Sequence, residues 1–106
     1  MNRYLLNSTV LTSFGTWDYS AVSVEVAREF VAIEFTSAIG HPATAEFLSG
    51  LLGIDIAANR RQIEMNVGDE ALVFKILPRA KEEGAVFDKV ELSEMEWTLG
   101  LLKRIS

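Results

Sequence analysis

The segment IEFTSAIGHPATAEFLSGLLG, residues 33–53, changes its hydrophobic pattern at its centre. Its first part, residues 33–39, is rich in β-branched and aromatic side chains, which predicts a strand. From residue 41 onward the apolar side chains recur at helical spacing, and one helix face carries Ala45, Leu48 and Leu52. A strand that runs directly into a helix is typical of an α/β domain.

The ends of this helix are marked by residues that suit them. Pro42 fits the first helical turn because it has no N–H to leave unpaired there. Gly53 is a natural left-handed stop at the other end. The sequence therefore predicts a helix that begins at His41 and ends before Gly53.

The rest of the chain supplies a sheet and a second helix. Ser23 is expected to cap a short helix in which Val26, Phe30 and Val31 share a face. Strands are predicted at 3–8, around Trp17 and Tyr19, at 60–66, 70–79 and 97–105, with Gly68 in a hairpin turn and one helical turn starting at Ser93. We expect one α/β domain over residues 1–106, with a small mixed sheet flanked by helices.

The amino-acid composition limits the kinds of function that the chain can have. With 106 residues, 49% of them hydrophobic and 24% charged, the chain has the size and balance of one folded domain. It has no cysteine and one histidine, so a disulfide or a thiolate metal site is excluded and metal-dependent chemistry is not expected. We predict no cofactor.

The net charge and the hydropathy of the chain indicate which partners and which cellular location to expect. A formal net charge of −5 argues against sequence-independent binding to DNA, which requires a basic face. No apolar run approaches the roughly 20 residues needed to span a bilayer, and the N-terminus becomes polar too soon for a secretory signal. A cytoplasmic protein without a membrane partner is expected.

Basic side chains cluster around the predicted strand 70–79. Alternation places Lys75 and Arg79 on the same face of that strand. Arg60 and Arg61 are neighbours on the preceding predicted strand, so they would point to opposite faces and only one would join the others. Taken singly, each of these charges fits an exposed position at the end of a strand.

The sequence allows two interpretations of His41. Lone histidines often cap a helix or pack within a fold. Alternatively, the amide groups of a helix N-terminus attract phosphate, and an imidazole beside a phosphate can transfer a proton near neutral pH. Glu82 and Glu83 follow Arg79 in a loop, and an arginine, a glutamate and a histidine suit metal-free transesterification of RNA.

Asn7 and Ser8 end the first predicted strand. Their amide and hydroxyl groups suit a hydrogen bond within a turn, which is the interpretation we favour from residue types, or a hydrogen bond to a base or a ribose. The residue types alone leave both interpretations open.

Several of these segments together resemble the viral anti-CRISPR ring nucleases, small proteins of viruses and mobile elements. The resemblance covers most of the chain: YLLNSTVLTSFG, AIGHPATAEFLSGLLG, NRRQIEM, GDEALVFKI and PRAKEEG. Its most specific part is the ordered set IGH, NR and a later R…EEG. Members of that family are mixed α/β homodimers that degrade cyclic tetra-adenylate, the second messenger of type III CRISPR immunity.

The resemblance implies roles for particular residues. His41 would be the general acid, Arg60 and Arg79 would contact the nucleotide, and Asn7 would lie in the binding site. Lys75 stands where some relatives have a polar contact to the ligand.

The resemblance leaves open which glutamate is the functional carboxylate, because RAKEEG has one residue more than the pattern that is common in that family. Counting forward from Arg79 selects Glu82, whereas counting back from Gly84 selects Glu83. We favour Glu82 as the catalytic carboxylate and place Glu83 among the binding residues.

The expected activity is metal-independent cleavage of cyclic tetra-adenylate into linear di-adenylates with a 2′,3′-cyclic phosphate. If the protein is viral, it would act in the host cytoplasm as an anti-CRISPR. The alternative is a non-catalytic dimer that sequesters a cyclic nucleotide or binds a host protein.

Overall fold

The computed structural model describes residues 2–9, 11–76 and 96–106. Within them lie five strands and two helices, which we number in chain order: β1 Arg3–Leu6, β2 Trp17–Ala21, α1 Val24–Val31, β3 Thr36–Ser37, α2 Pro42–Leu52, β4 Glu70–Ile76 and β5 Trp97–Arg104. The strands form one sheet in the order β2-β5-β4-β1-β3. The predicted α/β class and mixed sheet are confirmed.

The sheet has a parallel half and an antiparallel half. β1 pairs in parallel with β3 on one side and with β4 on the other, with Leu5 opposite Ser37 and Leu72. β5 pairs antiparallel with β4 and with β2. Because β3, β1 and β4 run in the same direction, their carboxyl ends lie at the same edge of the sheet.

The two helices cover one face of the sheet. Leu5, Leu72 and Phe74 point from the sheet into a core with Leu48 and Leu52 of α2. The Phe74 ring centroid lies 5.7 Å from that of Phe47 and 5.7 Å from that of Trp97. The larger of the two apolar clusters therefore lies between the sheet and the helices.

The opposite face of the sheet is also covered. A second cluster there joins Leu6, Met65, Ala71, Val73 and Leu102, all buried. The sequence places Val73 on the face that ends in cations, yet it is 0% exposed, as are its neighbours Leu72 and Ala71. β4 is thus buried on both faces along most of its length, as expected for a central strand in a sheet covered on both sides.

Both predicted helices are present, and α2 begins one residue after the predicted His41, which is its N-cap. The Ser23 hydroxyl accepts a hydrogen bond from the Val26 amide at 3.2 Å and caps α1. Pro42 is the first residue of α2, and Gly53 ends it with φ of 75°. The predicted buried face of α1 was wrong at one residue. Ala27, Phe30 and Val31 are buried, whereas Val26 is 42% exposed.

The predicted strand at 60–66 was wrong, and so was the hairpin from it into 70–79. Residues 60–66 join no strand, and side chains bond the backbone at the end of this segment. The Met65 amide donates to the Thr12 hydroxyl at 3.0 Å, and the Met65 carbonyl accepts from the Arg104 guanidinium at 2.7 Å. The turn itself is present, with a positive φ of 92° at Gly68.

Three smaller boundaries also differ. β1 ends at Leu6 and not at residue 8, and β3 holds only Thr36 and Ser37 of the predicted 33–39. The chain leaves β3 quickly because Ile39 turns into the helix-side core, where it is 0% exposed. The helical turn predicted at Ser93 lies outside the described residues.

A buried carboxylate fixes the edge where β1 and β4 begin. Asp69 is 2% exposed and accepts hydrogen bonds from the amides of Asn2, at 2.7 Å, and Asn66, at 2.8 Å. These bonds join the turn before β4 to the residue before β1. The amino-terminal edge of the parallel pair is therefore held by a charge-assisted network.

Neither helix in the described part of the chain is long and apolar enough to cross a membrane.

Two glycines give a test of this fold with opposite signs. A Cβ on Gly50, inside α2, would meet no atom within 4 Å. Gly50→Ala should therefore stabilise the protein by about 0.5–1 kcal/mol, because alanine loses less backbone entropy in a helix. Urea denaturation measures this change.

Gly15 should respond in the opposite way. It has φ of +147°, and a Cβ there would overlap the backbone oxygen of Ser106. Gly15→Ala should destabilise the protein by about 1–3 kcal/mol. Equal stability of both variants would contradict the described packing of residues 15 and 106.

Candidate functional site

The candidate residues gather at the edge where the three parallel strands end. Asn7 and Ser8 directly follow β1, His41 follows β3 after a short connection, and Lys75 is the next-to-last residue of β4. Ligands of open α/β sheets commonly bind at the carboxyl ends of parallel strands, since the loops there converge. The topology therefore brings together residues that are far apart in sequence.

A groove of about 660 Å³ opens at this edge. Its apolar lining comes from residues that belong to or pack against the second cluster: Leu6, Ala38 and Ile63. Its polar lining is made by Asn7, Ser8, Thr12, Arg61, Gln62 and Glu64. An apolar floor with amide, hydroxyl and guanidinium groups around it suits a ligand that has both rings and phosphates, such as a nucleotide.

His41 occupies the N-cap of α2 without using its side chain as a cap. Its backbone is extended, with φ of −119° and ψ of 126°, and its carbonyl accepts from the Ala45 amide at 3.1 Å. The imidazole makes no capping hydrogen bond and is half-buried. His41 is therefore the N-cap residue through its backbone alone, which fits the first interpretation in position, and its imidazole is not used by the helix, as the second interpretation requires.

Arg60 lies across the backbone next to His41. A Cβ built on Gly40 would stand 3.5 Å from the Arg60 Nε and 3.9 Å from its Cβ and Cγ. Arg60 thus packs against the chain that leads into α2, at distances that would leave a Cβ on Gly40 in ordinary van der Waals contact. Within the described ranges, Arg60 makes no hydrogen bond or ion pair through its guanidinium, so its charge is available to a ligand.

The segment that carries Arg60 is fixed to β3 and to the residues just after it by three hydrogen bonds. The Ser37 hydroxyl donates to the Ala57 carbonyl at 2.8 Å, and the Asn59 side-chain amide donates to the Ser37 carbonyl at 2.7 Å. The Asn59 backbone amide donates to the Ile39 carbonyl at 2.7 Å. Asn59 was not among the predicted site residues, although its place before two arginines was a signal.

Arg60 and Arg61 do not obey strand alternation, because residues 60–66 are not a strand. Arg60 lies against Gly40, and Arg61 lines the groove together with Asn7 and Ser8. The expectation that only one of the two arginines joins the site rested on that strand, so its premise was wrong. Sequence spacing offered no other signal for Arg61.

Lys75 is exposed and shares its strand parity with Val73, which places it on the face of the second cluster and the groove. Arg79, Glu82 and Glu83 lie outside the described residues. The structure therefore describes Asn7, Ser8, His41, Arg60 and Lys75, the remaining five of the eight predicted site residues.

In the described ranges, no group of three or more histidine, aspartate and glutamate side chains is arranged to hold a metal ion.

The fold and the site define a class: a small mixed α/β protein with a ligand-sized groove where its parallel strands end. The chain belongs to the STIV B116-like family, whose model matches residues 3–99. The solved structure of B116 from Sulfolobus turreted icosahedral virus superposes with a TM-score of 0.78 at 25% identity, over 98% of this chain and all of that one.

Viral and bacterial relatives cover almost the whole chain. ORF117 of Acidianus two-tailed virus is 35% identical over 96% of this chain and 92% of its own length. Protein 26 of a Sulfolobus islandicus filamentous virus is 34% identical over 97% and 92%. YddF of Bacillus subtilis is 29% identical over 99% of both chains. These relatives indicate a family of small proteins that is largely viral, and their names do not specify an activity.

The anchoring role of Asn59 can be tested by truncation. Asn59→Ala removes the donor to the Ser37 carbonyl and should lower the free energy of unfolding by about 1–2 kcal/mol. Asn66→Ala is the matched control, since the exposed Asn66 contributes only backbone groups to the turn hydrogen bonds. An Asn59 variant as stable as the Asn66 variant in urea denaturation would contradict the anchoring role.

Proposed function

We propose that the protein is a metal-independent ring nuclease that cleaves cyclic tetra-adenylate and so acts as an anti-CRISPR. The observation that carries this proposal is the placement of Arg60 against Gly40, the residue before His41, at the start of α2. The imidazole makes no capping hydrogen bond, and the Arg60 Nε lies 3.5 Å from the position of a Cβ built on Gly40. A proton donor and a cation at a helix N-terminus suit cleavage of a phosphodiester.

The proposed reaction is an internal transesterification. The ribose 2′-hydroxyl attacks the neighbouring phosphorus, and its oxygen forms the new bond of a 2′,3′-cyclic phosphate. The bond from phosphorus to the 5′-oxygen breaks, and protonated His41 gives its proton to that leaving oxygen. The proton of the attacking hydroxyl passes to a base, for which the glutamate at 82 or 83 is the candidate implied by the resemblance.

Electrostatics should lower the barrier of this step. Negative charge builds on the non-bridging phosphate oxygens as the 2′-oxygen attacks. The positive end of the α2 dipole and the Arg60 guanidinium are placed to stabilise that charge. Arg79 would add a second cation, as the resemblance implies. Alignment of the 2′-hydroxyl with the leaving oxygen would supply a further large part of the rate.

A two-fold homodimer would explain why one histidine per chain is enough. A ring of four adenylates can share its own two-fold axis with the dimer, so that the two copies of His41 meet opposite phosphodiester bonds. Cleavage at both bonds then gives two linear di-adenylates. A non-catalytic protein that only sequesters the ring would need the arginines and would not need His41.

The first measurement is incubation of the purified protein with cyclic tetra-adenylate in excess EDTA, with products resolved by mass. We expect linear di-adenylate ending in a cyclic phosphate.

His41→Ala should bind the ring with unchanged affinity and lose at least about a hundredfold in turnover, because only the leaving-group proton is removed. Arg79→Ala should weaken both binding and turnover.

The outcomes separate the two functions. Full activity of His41→Ala would remove the general-acid role. Binding without cleavage by the unaltered protein would indicate a sequestering protein.

His41→Ala should unfold at the same denaturant concentration as the unaltered protein, since the imidazole makes no capping hydrogen bond.

Dimerisation is a separate prediction. Size-exclusion chromatography with light scattering at micromolar concentration should give twice the chain mass of 11.8 kDa. A strict monomer under these conditions, with or without the nucleotide, would contradict a pocket shared by two subunits.

A further inference from the structure

We propose that Arg61 binds a phosphate of the substrate that is not cleaved, while Arg60 serves the phosphate at His41. This inference rests on the proposed function. It assigns consecutive arginines to two different phosphates of one ring. Arg61 thereby becomes a binding residue that strand alternation could not identify.

The two arginine residues lie at different places. Arg60 contacts the Gly40 position, directly before His41, and does not line the groove. Arg61 lines the groove, in which it is accompanied by Asn7 and Ser8. The irregular backbone at 60–66, which is outside the sheet, makes this divergence possible while both arginines stay at the same sheet edge.

The stoichiometry of the substrate gives each subunit of a two-fold dimer two phosphates, of which it cleaves one. A ring of four adenylates has four phosphates, and a two-fold dimer with one His41 per subunit cuts two of them. The other two must also be accommodated, one by each subunit. An uncut phosphate needs no proton donor, only a cation and hydrogen-bond donors, and these are what the groove supplies away from His41.

Arg61 is free to take this role. Its side chain is exposed, and among the described residues no carboxylate forms a salt bridge with it. The Asn7 amide and the Ser8 hydroxyl line the same groove and can donate to a phosphate or a ribose oxygen. A guanidinium without an internal partner loses no existing ion pair when it binds an anion.

Glu64 gives the groove an opposing charge. Glu64 lines the same groove as Arg61, and no salt bridge joins the two in the described part of the chain. A phosphate at Arg61 would therefore approach a carboxylate as well as a cation. Removing the Glu64 charge should tighten the binding of a phosphate there, which gives the inference a second test of opposite sign.

The experiment compares Michaelis constants and affinities for cyclic tetra-adenylate among charge variants. Arg61→Gln should raise both KM and Kd about tenfold or more, the loss expected for one charge-assisted hydrogen bond, and leave kcat within about twofold. Arg61→Lys should recover part of the affinity. Glu64→Gln should lower Kd.

Lys103→Gln is the matched control. It also removes one positive charge from an exposed side chain, but Lys103 lies on β5 and pairs with Glu70 at 3.9 Å, away from the groove. Its KM and Kd should stay at the values of the unaltered protein. A change equal to that of Arg61→Gln would show an effect of net charge alone and overturn the inference.

Two further results would overturn it. If Arg61→Gln binds and cleaves like the unaltered protein, the proposed nuclease function stands and the second phosphate site does not. If Arg61→Gln loses kcat and keeps KM, Arg61 acts on the cleaved phosphate. Failure of the proposed function itself appears elsewhere, as absence of binding and cleavage by the unaltered protein, and the inference falls with it.

Discussion

The parallel pairing of β1 with both β3 and β4 is the constraint on which the rest of the structure depends. It fixes the carboxyl ends of three strands at one edge. Asn7, His41 and Lys75 reach the same edge from positions that span most of the described chain. Burial of Leu5 and Leu72 against the helices makes this register costly to shift, since a slip by one residue would expose them.

Residues 57–65 connect the site to the core. They lie outside the sheet ladder, yet Met65 and Ile63 cover the second face of the sheet, and Arg60 and Arg61 reach the functional edge. Hydrogen bonds from the side chains of Asn59 and Arg104, and to that of Thr12, hold the backbone of this segment in place. One irregular segment therefore closes an apolar cluster and positions two cations, so substitutions that loosen it should affect stability and ligand binding together.

The helices were predictable because their signals are local. Ser23, Pro42 and Gly53 act on the backbone within one turn, and the structure confirms the helix boundaries that they mark. The segment at 60–66 was not predictable, because its alternating pattern fits a strand and only distant partners in Thr12 and Arg104 show that it is not one. The face of β4 opposite the helices was missed for the same reason: the residues that bury Val73 come from elsewhere in the chain.

The sequence by itself determined the class of fold, the helix ends, and the chemical types present: one imidazole, no thiol, and a set of arginines and glutamates. These follow from local backbone preferences and from composition. Only the tertiary structure decided that the imidazole is not used as a cap, that Arg60 lies across Gly40, and that Arg61 faces the groove. Each of these depends on contacts between segments brought together by the parallel strands, and spacing within one segment carries no information about such contacts.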